Sequence, residues 1–246
     1  MDKNKKKKAA KKFDFTEVYP NQPLIEVVCE VRFPADMTIE CRKDLFYAKI
    51  KNKYSEILVP QVQMGKAMPL EAYRFEKKDR SAGVMLAINK FSFYEKKYEG
   101  HEKFITEFIR LASFLGEKYS ISKIDRLGWR YINLVPFTRE DGTVPLHRFL
   151  TVSLSVPNNI SKKFENISIV FISKVAEGSI TTKIESVMRE DRQQEALVLD
   201  FDFAMTENLN FSKLRDSVKI AHKHTRTLFE TLITDQYRQY LKGETL

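Results

Sequence analysis

Residues 123–137, KIDRLGWRYINLVPF, form the stretch that decides the fold. If this stretch is extended, alternate side chains point to opposite faces of the strand. One face is apolar and aromatic, which is typical of a strand that packs on a core. It comprises Leu127, Trp129, Tyr131, Val135 and Phe137, interrupted by Asn133. We therefore predict a long central strand that buries the only tryptophan of the chain.

The other face of this strand carries two arginines with a glycine between them, at Arg126, Gly128 and Arg130. Guanidinium groups bind anions through paired donors, and a glycine within a strand often marks the close approach of a backbone or ligand. These residues are a candidate site for a small anionic ligand or a nucleotide. The alternative is that both arginines pair with acids of a neighbouring strand, such as Glu26 and Glu30, because cross-strand charge pairs are common.

The residues before the central strand predict further strands and two helices. Residues 24–33 alternate between apolar and polar side chains, as a half-buried strand does. Cys29 falls on the apolar face, where a small unreactive thiol is expected. Apolar residues at helical spacing predict an amphipathic helix over residues 44–57. The same reasoning predicts strands at residues 71–77, 83–89 and 91–97 and a second helix at residues 101–117.

The second half is predicted to consist mostly of strands followed by one long helix. Strands are expected at residues 150–156, 167–175, 180–188 and 196–204. Apolar residues spaced by three and four predict a helix from about Ser212 to Tyr240. Adjacent strands joined by short turns predict an α+β fold, with a mainly antiparallel sheet, helices on one face and a long C-terminal helix.

Residues 13–246 are predicted to form a single α+β domain. Each half ends in a helix after a series of strands, so a division into two similar halves, at about residues 13–137 and 138–246, is a second interpretation. No residue-level repeat supports that division.

The net charge of +9 is concentrated at the N-terminus. Residues 1–12 hold seven lysines and one acid, a net charge of +6, whereas the remainder of the chain carries only +3. A short lysine run before a folded domain is usually a disordered arm. Such an arm can contact nucleic acid through charge alone, with a strong dependence on salt. We predict this contact for Lys5, Lys6, Lys7 and Lys8.

Composition argues against several classes of protein. No apolar run reaches the length of about 18–20 residues that a membrane span needs, and the N-terminus lacks the apolar segment of a signal peptide. The two cysteines are too few for a disulfide scaffold. We therefore expect a cytoplasmic protein without a membrane span.

Motifs for catalysis are not evident in the sequence. There is no glycine-rich phosphate loop, no serine elbow and no cysteine pair at metal-binding spacing. No catalytic residue, metal ligand or cofactor is predicted, and the protein is not expected to be an enzyme. One competing hypothesis is a metal-dependent nuclease, because Asp79, Glu95 and Lys97 could place two carboxylates beside a lysine.

Three segments resemble a sporadically distributed prokaryotic family of roughly this length with no established activity. They are PLIEVVCEVRF at residues 23–33, RLGWRYIN at residues 126–133, and the terminal helix with His224, Phe229 and ITD at residues 233–235. The resemblance implies a single domain and supplies no catalytic residue. It also implies an accessory gene carried with mobile elements or defence systems. Together these observations predict a non-catalytic binding or interaction protein that acts with a protein partner or as a homo-oligomer.

Overall fold

The computed structural model describes residues 14–59, 72–161, 163–189 and 194–245. Within these ranges the chain forms nine strands and six α-helices. In chain order they are β1 (Leu24–Arg32), α1 (Met37–Cys41), α2 (Lys43–Ile50), β2 (Glu56–Leu58), β3 (Tyr73–Glu76), β4 (Ala82–Ala87), β5 (Lys90–Glu95), α3 (His101–Lys118), β6 (Arg126–Pro136), α4 (Leu146–Phe149), β7 (Ser168–Val175), β8 (Gly178–Arg189), β9 (Gln194–Met205), α5 (Leu214–Leu232) and α6 (Asp235–Leu241).

All nine strands belong to one sheet, in the order β2-β3-β4-β5-β1-β6-β9-β8-β7, and each neighbouring pair is antiparallel. The first strand of each half pairs with the last strand of that half, β1 with β5 and β6 with β9. The two halves meet where β1 pairs with β6. The strand order thus sets β1–β5 on one side of the β1–β6 pair and β6–β9 on the other, and the division of the chain into two similar halves stays a prediction.

The core lies between the sheet and the helices. Trp129 on β6 is fully buried. Its ring meets Phe104 of α3 edge to face at 5.2 Å and His222 of α5 at 5.8 Å. Phe46 of α2 contacts Phe91 of β5 on the same side of the sheet. The predicted α+β class, with helices on one face of an antiparallel sheet, is therefore confirmed.

The C-terminal helix is long but ends earlier than predicted. α5 stops at Leu232, and a separate helix, α6, begins at Asp235. Thr234 between them is extended, and its hydroxyl accepts a hydrogen bond from the backbone N–H of Tyr237 at 3.1 Å. A threonine that caps a new helix in this way fixes a break in the chain direction, so the prediction of one helix as far as Tyr240 was wrong.

Two other predicted elements differ in the structure. Residues 151–157 form no strand, although residues 150–156 alternate in polarity. Leu150 instead forms an isolated bridge with Ile233, and Thr151 donates its backbone N–H to the carbonyl of Leu232. The helix predicted for residues 44–57 ends at Ile50, and Ile57 lies exposed on β2.

Candidate functional site

The side of the sheet opposite the helices carries many charged side chains among its apolar ones. We call the part of it formed by β1, β6, β9, β8 and β7 the open face. Residues directly opposite one another on antiparallel strands point to the same face, so the strand register defines its members. Eight of the charged side chains there form what we call the charge ladder: Glu30, Arg32, Arg126, Arg130, Lys183, Glu185, Asp200 and Asp202.

Arg130 is held by a carboxylate of the neighbouring strand. Its Nε and Nη2 atoms donate to the two carboxylate oxygens of Asp200 at 2.8 and 2.5 Å. This is the bidentate geometry in which an arginine binds a carboxylate most strongly, and Asp200 is largely buried. The hydrogen bond from Arg130 to Asp200 is the main reason that the pKa of Arg130 is raised.

Arg126 lies between two acids and above a glycine. Its Nη1 atom is 3.3 Å from Glu30 on β1, and its Nη2 atom is 3.6 Å from Asp202 on β9. A Cβ atom on Gly128 would come within 2.8 Å of the Arg126 Nη1 atom. The glycine therefore leaves the space that the Arg126 guanidinium occupies.

The electrostatics of the ladder are nearly neutral. Burial raises the pKa of Asp202, and the nearby Arg126 and Arg130 act against that rise. Lys183 on β8 lies directly opposite Asp200 and forms an ion pair with Glu185 at 2.7 Å. The ladder therefore changes sign from β6, which carries Arg126 and Arg130, to β9, which carries Asp200 and Asp202, and its eight charges sum to zero.

The structure brings together the three residues of the predicted anion site, Arg126, Gly128 and Arg130. Both arginines, however, are paired with carboxylates of the chain itself. The close approach that Gly128 allows is made by Arg126. The alternative interpretation of the sequence paired the two arginines with acids such as Glu26 and Glu30. Arg126 does pair with Glu30, whereas Arg130 pairs with Asp200 of β9 and not with Glu26 of β1. A small anion at this place would have to displace carboxylates, and its binding there stays a prediction.

The structure bears only in part on the other two hypotheses, the nucleic-acid contact of the lysine tail and the metal-dependent nuclease. Lys5, Lys6, Lys7 and Lys8 lie outside the described residues. Of the nuclease hypothesis, the structure joins Lys97 to Asp79 at 3.4 Å, with both side chains exposed. No group of three or more His, Cys, Asp or Glu side chains that could hold a metal ion occurs within the described ranges.

A buried polar cluster between α3, α5 and β6 was not found by sequence reasoning. His222 is 5% exposed, and its Nδ1 atom lies 2.8 Å from the Tyr131 hydroxyl. That hydroxyl is 3.0 Å from the hydroxyl of Tyr98, while the ring of His101 stacks on His222 at 4.3 Å. Burial, followed by the charge of His101, lowers the pKa of His222 to about 3. The sequence did contain a signal for the burial of His222. Residue 222 lies four residues after Val218, on the apolar stripe of α5.

A second buried group surrounds Glu230 of α5, which is 2% exposed. The hydroxyl of Tyr19 donates to this carboxylate at 2.9 Å, and Arg226 and Arg238 lie 2.9 and 3.1 Å from it. A buried carboxylate is stable only when it is paired and hydrogen-bonded. Two cations and one hydroxyl meet this requirement for Glu230. This cluster therefore anchors the segment around Tyr19 to α5.

The described residues also enclose one sizeable cleft at an end of the sheet. It has a volume of about 480 Å³ and lies between the β7–β8 turn, the residues after β9 and the first turns of α5. Its charged lining residues are Glu177, Glu207, Lys213 and Asp216. Glu177 is already paired with His224 at 2.5 Å.

Comparisons with known proteins add no assignment. A scan against protein-family models found no matching family, and a search of curated proteins found no matching relative. None of the helices in the described ranges has the length and apolar character to cross a membrane.

Proposed function

We propose that this protein is a non-catalytic binding protein that holds a protein partner on its open face. The observation that carries the proposal is the charge ladder itself. Four neighbouring strands direct cations and carboxylates away from the helices, on a sheet whose other side packs on the core along β1, β6 and β9. Val170 and Ile172 on β7, exposed by 59% and 70%, add an apolar patch beside the ladder.

The balance of charge favours a protein over a nucleic acid or a small anion as the partner. Nucleic-acid surfaces need a surplus of cations to neutralise phosphates, whereas protein interfaces combine an apolar patch with polar groups of both signs. The arginine donors that would bind an anion are engaged by Glu30, Asp200 and Asp202. The exposed apolar patch of Val170 and Ile172 beside the ladder therefore favours a protein partner over a small anion.

The resemblance noted above extends the proposal to a biological setting. A binding protein of a prokaryotic accessory system, carried with mobile elements or defence genes, would act by assembling with another component of that system. The alternative functions, a site for an anionic ligand or nucleotide at Arg126 and Arg130 and a nucleic-acid-associated protein or metal-dependent nuclease, are tested by separate measurements described below.

The proposal is tested with two matched substitutions. Thr181 lies on the open face directly opposite Asp202, so Thr181→Arg changes the face and gives the new guanidinium a carboxylate to pair with. Thr227 lies on the exposed side of α5, and Thr227→Arg is the control. Each tagged variant is expressed in the native host, and the proteins that copurify are quantified by mass spectrometry and then purified for direct binding assays.

We expect one partner to bind the wild-type chain and the Thr227→Arg variant equally, and to bind the Thr181→Arg variant at least tenfold more weakly. Equal binding to both variants would place the partner elsewhere on the molecule. Absence of any partner above the background of an unrelated tagged protein would remove the proposal.

A further inference from the structure

The strand β7 ends the sheet, and its outer backbone edge has no strand beside it in the described part of the chain. Edge strands normally carry devices that prevent pairing with another molecule, such as several lysines or other charges, proline, a bulge or very short length. β7 has eight residues, contains no proline, and pairs with β8 without a break in register. At the opposite edge β2 is only three residues long.

The side chains of β7 are unusually apolar for such an edge. Val170 is 59%, Phe171 37% and Ile172 70% exposed. Its only charged residue is Lys174. A long, regular and apolar edge strand presents both unpaired backbone groups and apolar area to another strand.

We propose that β7 pairs with β7 of a second copy of this chain, forming a symmetric antiparallel dimer in which the two sheets become one. Most soluble oligomers are symmetric, and a twofold interface requires a surface that complements itself. This inference does not depend on the partner proposed for the open face.

The sequence of β7 complements itself when Phe171 faces Phe171 of the second copy. In this register the two residues of each pair are either both even-numbered or both odd-numbered. Side chains of one face of the sheet therefore meet side chains of the same face in the second copy. Val170 faces Ile172 on the open face, so the two exposed aliphatic side chains of each copy join in one apolar patch.

Charge complementarity selects this register over the neighbouring one. With Phe171 at the centre, Lys174 faces Ser168, whose hydroxyl donates to Glu185 at 3.2 Å. The lysine of one copy therefore approaches the carboxylate of the other. A shift that places Ile172 opposite Ile172 would instead set Lys174 against Val170.

The first test uses the purified full-length chain in analytical ultracentrifugation. We expect the wild type to sediment with the mass of two chains and the double variant Val170→Lys/Ile172→Lys with the mass of one. Both positions are already exposed, so the folded monomer tolerates the change. Mixing this variant with Val170→Glu/Ile172→Glu should restore the dimer, and Met37→Lys, at a 63% exposed helical position, is the control that stays dimeric.

The second test measures the register by disulfide formation. Directly opposite residues of antiparallel strands lie about 4.5–5.5 Å apart at Cα, within reach of a disulfide. In a Cys41→Ser background, which removes the exposed native thiol, Phe171→Cys should crosslink under mild oxidation. Ser173→Cys should not, because its symmetric mate lies about 13 Å away along the strand.

A wild-type chain that stays monomeric at all concentrations, or a dimer that survives the two lysines, would overturn the proposal. Equal crosslinking at positions 171 and 173 would also overturn it. Because only the purified chain is used, these outcomes are independent of whether a partner binds the open face.

Discussion

The guanidinium of Arg126 lies on the space that the missing side chain of Gly128 leaves open, and this contact organises the charge ladder. From that position Arg126 reaches Glu30 on one neighbouring strand and Asp202 on the other. A glycine that sequence reasoning assigned to ligand approach is therefore used within the chain, to let one side chain join three strands.

The first prediction concerns this contact. Gly128→Ala should displace the guanidinium, since the new Cβ would lie 2.8 Å from Nη1. In an Arg126→Gln background the same change should be neutral or stabilising, because alanine loses less backbone entropy than glycine. We expect a coupling energy of about 1 kcal/mol between the two positions in urea unfolding. Additive effects would show that the contact has no energetic weight.

The second prediction tests the anion-site hypothesis. Because the donors of Arg130 are bound to Asp200, inorganic phosphate and nucleotides should leave the melting temperature unchanged. Arg130→Ala alone should lower the free energy of unfolding by about 1 kcal/mol, since the pair is partly exposed. A thermal shift with a nucleotide that disappears in Arg130→Ala would instead support a ligand site.

The third prediction is a dependence of stability on pH. His222 has a pKa of about 3 in the folded chain and 6.5 as the ordinary value, so between these values the unfolded chain binds a proton that the folded chain does not. The free energy of unfolding should therefore fall as the pH decreases through this window, by about 2–4 kcal/mol in total.

The measurement for His222 is a series of denaturant unfolding curves from pH 7 to pH 3. Neighbouring carboxylates titrate in the same range, so the informative quantity is the difference in slope from His222→Gln, which should be shallower. His147→Gln, at a position where the side chain is 76% exposed, is the control for the loss of a histidine outside the cluster. His101 and Glu102 face His222, so the difference in slope includes the loss of their interaction with it.

The fourth prediction concerns the break between α5 and α6. The Thr234 hydroxyl accepts from the N–H of Tyr237 and donates to the carbonyl of Arg148 at 2.6 Å. Thr234→Ala should therefore cost about 1–2 kcal/mol of unfolding free energy, whereas Thr234→Ser should retain most of it. A loss of the same size in the serine variant would mean that the methyl group matters, and not the cap.

The fifth prediction concerns the lysine tail. Binding to single- or double-stranded DNA at low salt should weaken steeply as salt is raised, and deletion of residues 1–12 should abolish it. Retention of binding after the deletion would indicate a nucleic-acid site within the folded part. Cleavage of DNA with magnesium, lost on Glu95→Gln, would support the nuclease hypothesis.

The sequence was sufficient to predict the helices and strands that have one clearly apolar face. The aromatic face of β6 and the stripe of α3 could be predicted because burial on one side leaves a period in the sequence. Trp129 and Phe104 are both fully buried, as expected. The central position of β6 in the sheet required knowledge of the whole topology.

The wrong predictions of secondary structure have a common physical cause. A short pattern of apolar residues does not decide between helix, strand and loop, because the backbone hydrogen-bond partners come from distant parts of the chain. Residues 150–156 alternate like a strand, yet Thr151 finds its hydrogen-bond partner at Leu232, where α5 ends. Likewise Ile57 continues a helical spacing after Ile50 but pairs with Phe75 on a strand. The partner of Arg130 could not be foreseen either, because the pairing of β6 with β9 joins residues 70 positions apart.

The pairing of β1 with β6 also constrains how the chain is made. During synthesis residues 24–118 are made before residues 126–136, so the edge of β1 that pairs with β6 has no partner until β6 is added. Val27, Cys29 and Val31 point to the core, so what β6 covers is the row of backbone N–H and C=O groups along that edge. An unpaired strand edge is a template for pairing with another chain, so the addition of β6 closes a site at which the growing chain could mispair.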